Sequence, residues 1–339
     1  MNILTIKNLD QLCYGAALLG SGGGGDPDVL KDYMHYLLNL HGPVKIITTT
    51  EMELDALVVP IALIGAPLIS IERIPNAKMF INLFDKIQSV FANKKIILMP
   101  VEIGGCNAMT PFILASMYSL PVLDADLIGR AFPKINMCKP AIMGMTQQTA
   151  FIASALGEVV CIEAETMAEL EDKARTVATA FGCSAAITTF IFEANQYKNY
   201  VIEGSISRAL ELGQSSQHIE GASIIGTGII TDVHHAIENG FLKGYVKICS
   251  KQHEFMVFFQ NEYLLVTKSN QKIAESPTII SLIESRSRKA ITSESLRFGL
   301  QVDLVTLIPP DFWLTPKASS QVSLRVFGYE LNDAGLLYV

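Results

Sequence analysis

Apolar residues recur at helical spacing over residues 8–19, NLDQLCYGAALL, and again over residues 26–42, DPDVLKDYMHYLLNLHG. In the second stretch Asp26 fits an N-cap, Pro27 the first helical position and Gly42 the C-terminal stop. The pattern then alternates. Runs VKIITTT (44–50), ALVVPIALIG (56–65), KKIILMP (94–100), PVLDA (121–125), VVCIEA (159–164) and AAITTFIFEA (185–194) read as strands. Between and after them, amphipathic helices are predicted over 77–91 with Asn76 as cap, about 107–119, 166–181 and about 205–213. Buried apolar strands alternating with helices predict an α/β domain, a mostly parallel sheet with helices on its faces.

After about residue 217 the texture changes. Short β-like runs such as SIIGTGIITDVHHAI, GFLKGYVKICS, EFMVFFQNEYLLVTK and FGLQVDLVTLIPP are separated by Gly, Asn and polar turns. With no long helix between them they predict a β-rich second domain, an antiparallel sandwich or barrel. The expected division is 1–216 for the α/β domain and 217–310 for the β-rich domain. Residues 311–339 form a tail that can return to the first.

Composition narrows the function. Of 339 residues 50% are hydrophobic and only 17% charged, which calls for deep cores rather than disorder. A net charge of −7 with no Lys/Arg-rich run argues against nucleic acid. The most apolar window, Leu54 to Ile71, is broken by Asp55, Pro60, Gly65 and Pro67, so buried sheet and turn are expected rather than a membrane span. The N-terminal residues MNILTIKNLDQL lack the basic and long apolar regions of a signal peptide. Cysteines 13, 106, 138, 161, 183 and 249 are scattered without a C-x-x-C pair, as in reduced thiols, and a cytoplasmic protein is expected.

Two stretches concentrate the chemistry. The run Gly20 to Gly25 joins helix to helix, so it is neither a dinucleotide fingerprint after a strand nor a P-loop, which needs Gly-Lys-Ser/Thr. Gly22, Gly23, Gly24, Gly25 and Asp26 are nevertheless candidates to cradle an anion next to a helix N-terminus. The second stretch runs from Pro100 to Pro133. Its strand–helix–strand order sends both strands the same way, so Glu102 and Asn107 should meet Asp126 and Arg130 at one sheet edge. Gly104, Gly105 and Asn107 offer N–H donors for an oxyanion; Asn107 also suits a helix N-cap. Asp124 and Asp126, two apart on an extended chain, would face one side about 7 Å apart. Such a pair can bind a divalent cation or act as general acid and base. Arg130 can grip a carboxylate or neutralise Asp126. Cys106 near a helix N-terminus is a candidate nucleophile of lowered pKa. His234 and His235 are adjacent on a strand and so point apart, which does not suit joint metal ligation.

The chain also resembles a known family. The residues that carry the likeness are GSGGGGDP (20–27), EIGGCNA with Pro111, PVLDADLIGRAFPKINM (121–137), GIITDV (228–233), GFLKG (240–244), FQNEYLL (259–265), ITSESLRFGLQV (291–302), WLT (313–315) and RVFGYE (325–330). Together they resemble the S-methyl thiohydantoin desulfurase family, first catalogued as DUF917. The resemblance implies an α/β domain followed by a β-rich one and a link to hydantoin metabolism. It also implies a hydrolase that replaces the S-methyl group of a thiohydantoin-like heterocycle by oxygen, releasing methanethiol. Glu102, Asp124 or Asp126 would activate the water, directly or through a bound cation. Backbone donors would hold a ring carbonyl, and Arg130 an acidic substituent. Two other functions stay open at this point: a non-catalytic partner of a hydantoinase- or oxoprolinase-type protein, and a nucleotide-dependent enzyme using the glycine loop. A homo-oligomer is compatible with all three.

Overall fold

The structure is a computed structural model and describes residues 3–66, 69, 75–146, 148–238, 240–331 and 337–338. Pro67 and most of the tail after Leu331 lie outside the described residues.

The helices form where the spacing predicts them. α1 spans Ile6–Leu19, α2 Asp28–His41, α3 Ala77–Val90, α4 Thr110–Tyr118, α5 Met167–Ala180 and α6 Ser205–Leu212. Asn76 caps α3 by accepting from the Lys78 N–H, and Thr166 caps α5 by accepting from Glu169. The strands of the first domain are β1 Val44–Ile47, β2 Leu57–Gly65, β3 Ile96–Pro100, β4 Val122–Leu123, β5 Thr149–Ala153, β6 Val159–Glu163 and β7 Ser184–Thr189. They run in the order β1-β4-β3-β2-β7-β5-β6, with Ile3–Leu4 added beside β1. The pairings β1–β4, β4–β3 and β3–β2 are parallel; β2–β7, β7–β5 and β5–β6 are antiparallel. One face of the parallel part packs on α1 to α4, through Leu12, Leu37, Phe80 and Phe112. The other face is covered in part by the returning chain, whose Trp313 is fully buried and sets its ring edge on Phe132 at 4.8 Å. Trp313 Nε1 donates to the Ile128 carbonyl at 2.6 Å, so the indole is both packed and satisfied.

The second domain is one antiparallel sheet of eight strands. It contains β8 Ala222–Glu238, β9 Phe241–Cys249, β10 Glu254–Gln260, β11 Glu262–Lys268, β12 Gln271–Glu275, β13 Ile279–Glu284, β14 Ala290–Ile291 and β15 Gln301–Leu307. The sheet curls until β11 and β13 lie side by side without completing a barrel. Its inner residues, Val246, Val257, Val266, Ile280 and Leu304, form a separate core.

The predicted elements differ from the observed ones at several places, among them these. Residues 48–51 form a turn rather than strand, because Glu51 Oε2 accepts from the Thr48 N–H and hydroxyl. The run 185–194 breaks at Phe190, whose φ of 55° is left-handed, and Phe192–Glu193 turns back to pair with β2. The segment expected as one helix from 107 is a 3-10 turn, Gly105–Ala108, followed by α4. Strand β5, TAFIA, carries no polar alternation and escapes the pattern altogether, since both its faces are buried against β6, β7, α3 and α5.

Candidate functional site

The loop after β3 and the loop after β4 do emerge at one edge of the sheet. They meet the glycine run there, and the turn between β10 and β11 of the β-rich domain, at Asn261 and Glu262, closes the space. A cavity of about 130 Å³ lies between them, and Gly24, Gly25, Glu102, Cys106, Asn107 and Glu262 are among its lining residues.

Glu102 stands at the centre of the first wall, 8% exposed. Its Oε1 accepts from Asn107 Nδ2 at 2.7 Å and its Oε2 from the Phe132 N–H at 3.2 Å. Asn107 is oriented in turn by Leu63, whose N–H donates to Oδ1 at 2.7 Å. Asn107 therefore holds a carboxylate and a strand together instead of capping the helix as expected. Burial pushes the Glu102 carboxyl up from 4.5 to about 8; the Asn107 and Phe132 hydrogen bonds oppose that rise.

The glycine run is built for contact between backbones. Cys106 N–H donates to the Gly24 carbonyl at 2.9 Å, and a Cβ on Gly24 would lie 2.4 Å from the Gly104 oxygen. Gly22 and Gly23 do not face the cavity as an anion cradle. Each leaves room for a side chain of the β-rich domain, since a Cβ on Gly22 would strike the Tyr263 ring at 2.4 Å and one on Gly23 would lie 2.2 Å from Glu262 Oε1. Neighbouring Ser21 ties the domains, donating from its hydroxyl to the Ile280 carbonyl at 2.9 Å. The expected anion nest is thus occupied by protein. Asp26 accepts from the Asp28 N–H at 2.9 Å at the start of α2, as an N-terminal cap should.

The paired aspartates do not form a pair. Asp124 Oδ1 accepts from the N–H groups of Ile206 and Ser207, and its Oδ2 from the Ser207 hydroxyl, so it caps α6 away from the cavity. Asp126 is wholly buried and is held by the N–H groups of Ile103 at 2.8 Å and Gly129 at 2.7 Å. The chain turns between them because Ala125–Asp126 pairs with Ile202–Glu203. Desolvation raises the Asp126 carboxyl from 3.8 to about 7. Among the described residues, no group of three or more His, Cys, Asp or Glu side chains is arranged to hold a metal ion.

Arg130 neither faces the cavity nor pairs with Asp126. It is fully buried and stacks on Phe132 at 4.2 Å. Its guanidinium donates to the carbonyls of Pro277 at 2.7 Å and Thr278 at 3.0 Å in the other domain. Burial lowers its pKa while the nearby Glu262 and Glu102 raise it, and one amino group, Nη2, has no hydrogen-bond partner. Cys106 is corrected as well. Its thiol donates to the Asp26 carbonyl at 2.7 Å, and burial, with Asp26 and Glu294 nearby, pushes its pKa well above 9.0. A buried thiol beside carboxylates is a poor thiolate.

Sequence reasoning missed Glu262. It follows Asn261, whose φ of 58° makes the tight turn between β10 and β11, and it points inward across Gly23 to line the cavity. Only 2% exposed, it keeps Oε2 without a hydrogen-bond partner. Burial first, then the charge of Glu102, pushes its pKa well above the ordinary value, against the pull of Arg130. The available signal was a polar triplet, Gln260-Asn261-Glu262, set between two fully apolar runs.

Among the described residues no helix is long and apolar enough to cross a membrane. A crystal structure of a protein from Chromobacterium violaceum has the same fold, with a TM-score of 0.79 at 21% identity over 97% of each chain. No curated protein matches. Two family models do, "S-Me-THD-like, N-terminal domain" over residues 7–164 and "S-Me-THD-like, C-terminal domain" over residues 165–334. Matched by both domains of that family in order, the chain belongs to the S-Me-THD-like family.

Proposed function

We propose that the protein is a hydrolase of an S-methyl thiohydantoin-like heterocycle, with Glu102 and Glu262 as its acid–base pair. The observation that carries this reading is two buried carboxyl groups from different domains lining one cavity, one of them with a free oxygen. Family membership supports this choice of substrate class. Hydrolysis at the ring carbon between two nitrogens needs a base for the water and an acid for the ring nitrogen. Two buried carboxyl groups that share one cavity cannot both ionise easily, so at least one keeps its proton near neutral pH.

The steps balance as follows. Glu102, as carboxylate, takes a proton from water as its oxygen bonds to the ring carbon. Glu262, as acid, gives its proton to the ring nitrogen. The carbon–sulfur bond then breaks, sulfur leaves as methanethiol with the proton from Glu102, and the remaining hydroxyl proton returns to Glu262. Arg130 lies behind both groups and stabilises whichever is ionised.

The experiment is methanethiol release from an S-methyl thiohydantoin by wild type, Glu102→Gln and Glu262→Gln. Each variant should lose about 10²- to 10⁴-fold in kcat. Release at the wild-type rate by both variants would overturn the acid–base assignment. Tight binding of the thiohydantoin without any methanethiol would favour a ligand-binding partner of a hydantoinase-type enzyme instead.

A further inference from the structure

Strand β3 ends at Pro100, paired with Ile61 of β2. Two residues further along β2, Leu63 still pairs with Ala186 of β7, but its N–H is turned to the side that β3 has vacated. A backbone donor in a cavity wall needs an acceptor. Asn107 supplies it, and the Leu63 N–H donates to Oδ1 at 2.7 Å. The turn that carries Asn107 is itself tied to β2, because the Thr110 hydroxyl donates to the carbonyls of Ile61 at 2.9 Å and Asn107 at 3.0 Å.

That bond fixes more than a strand end. A backbone N–H can only donate, so the oxygen of the Asn107 amide has to face Leu63 and its NH₂ group has to face Glu102. Oε1 of Glu102 accepts from that group at 2.7 Å and Oε2 from the Phe132 N–H at 3.2 Å. Both neighbours are donors, and both favour the ionised carboxyl. Across the cavity, Glu262 has Oε2 without a partner, so a proton placed there displaces no donor. The titratable and charged groups around Glu102 are Asp126 and Arg130 on the loop after β4, Cys138 beyond it, and Glu262 on the other domain. Arg130 acts on both carboxyl groups, and Asp126 opposes ionisation of Glu102. Neither makes Glu102 the one to give up its proton.

We propose that Asn107 is a positioning residue: its amide, locked by Leu63, holds Glu102 ionised as the base and leaves the proton to Glu262. The inference rests on the two-carboxyl hydrolase reading and adds to it the group that sets the direction of proton flow.

Asn107→Leu tests it, since leucine keeps the shape of the side chain and removes the donor to Glu102. Protein with glutamate isotope-labelled at the side-chain carboxyl carbon is titrated by NMR, and the signals of Glu102 and Glu262 are those missing from Glu102→Gln and Glu262→Gln. In wild type Glu102 should titrate below Glu262. In Asn107→Leu the Glu102 midpoint should rise by about 1 pH unit or more, the effect of losing a hydrogen bond to a charged group. Asn107→Ala should shift it the same way and serves if the leucine variant does not fold. Methanethiol release is the second readout: the acid limb of kcat/KM against pH should move up with the Glu102 midpoint, and kcat/KM at pH 7 should fall about tenfold or more. A purely structural Asn107 would lower stability and leave both pH values in place. Glu262 titrating below Glu102 in wild type, or a Glu102 midpoint unchanged in the folded variants, would overturn the proposal. If the midpoint shifts as expected but wild type releases no methanethiol, the hydrolase reading falls and the placing of the proton by Asn107 stands.

Discussion

The two walls of the cavity present the same functional group in opposite states. In the α/β wall, Glu102 has both oxygens occupied by Asn107 and Phe132, and Asn107 is itself held by Leu63. In the β-rich wall, Glu262 reaches over a glycine with Oε2 unpartnered. A bonded carboxylate is fixed in orientation, whereas an unpaired one has spare capacity for a ligand. The contrast shows that the cavity is closed only where the two domains meet. Glycine makes the meeting close enough.

The largest effect that separates the walls is the response of folding to the acid-to-amide change. Glu102→Gln replaces one accepting oxygen by an NH₂ group facing existing donors, so it should destabilise by about 1–3 kcal/mol besides losing activity. Glu262→Gln removes a costly buried acid without breaking a hydrogen bond of Oε2, and its melting temperature should equal or exceed wild type. Calorimetric melting of the two variants decides the matter. Equal losses would break the comparison.

The pH dependence of stability follows from the same burial. Glu102 rises from 4.5 to about 8, Asp126 from 3.8 to about 7 and Glu294 from 4.5 to about 7, all first by desolvation. Each binds its proton more tightly folded than unfolded. Their stabilisation is therefore complete below pH 4 and is lost as pH climbs through each folded value. Denaturant midpoints should fall from pH 5 to pH 8, while acidic residues paired at the surface pull the other way below pH 5. Glu294→Gln, which retains its shape, should flatten the slope. A midpoint that rises across that window would contradict the burial argument.

Much of this was legible in advance, for definite reasons. The alternation of apolar strands and amphipathic helices reports burial directly, so the α/β order of the first part and the β-rich character of the second were readable. The loops at 102–107 and 124–130 were placed at one edge by the rule that parallel strands share a direction. What could not be read was which side chains turn inward. Asp124 and Asp126 look alike in sequence, yet a strand pairing with Ile202–Glu203 and the start of α6 send them to different partners. The polar triplet at 260–262 could mark Glu262, but not its inward turn, because its burial comes from a contact with a loop 239 positions earlier, at Gly23.

A smaller effect sharpens the distinction between a site residue and a structural one. Asp124→Ala removes the cap of α6 and should cost about 1–2 kcal/mol of stability, read from urea unfolding. Below the melting transition its kcat should stay within about twofold of wild type, because Asp124 does not line the cavity. A hundredfold loss of kcat in a folded Asp124→Ala protein would return it to the catalytic set.

The smallest effect belongs to the residue whose chemistry looked most inviting. Cys106 lines the cavity but is 2% exposed, and its thiol is committed to the Asp26 carbonyl. Burial and neighbouring acids hold it protonated, which removes the thiolate that nucleophilic catalysis requires. Cys106→Ala takes away a small packed group and one weak donor, so stability should fall by about 1 kcal/mol and kcat should barely change. Iodoacetamide with peptide mapping gives a second readout. The exposed Cys161 should be carbamidomethylated well before Cys106, and the early phase should leave methanethiol release intact. If inactivation instead tracked modification of Cys106, the two-carboxyl reading would lose its base to a thiol.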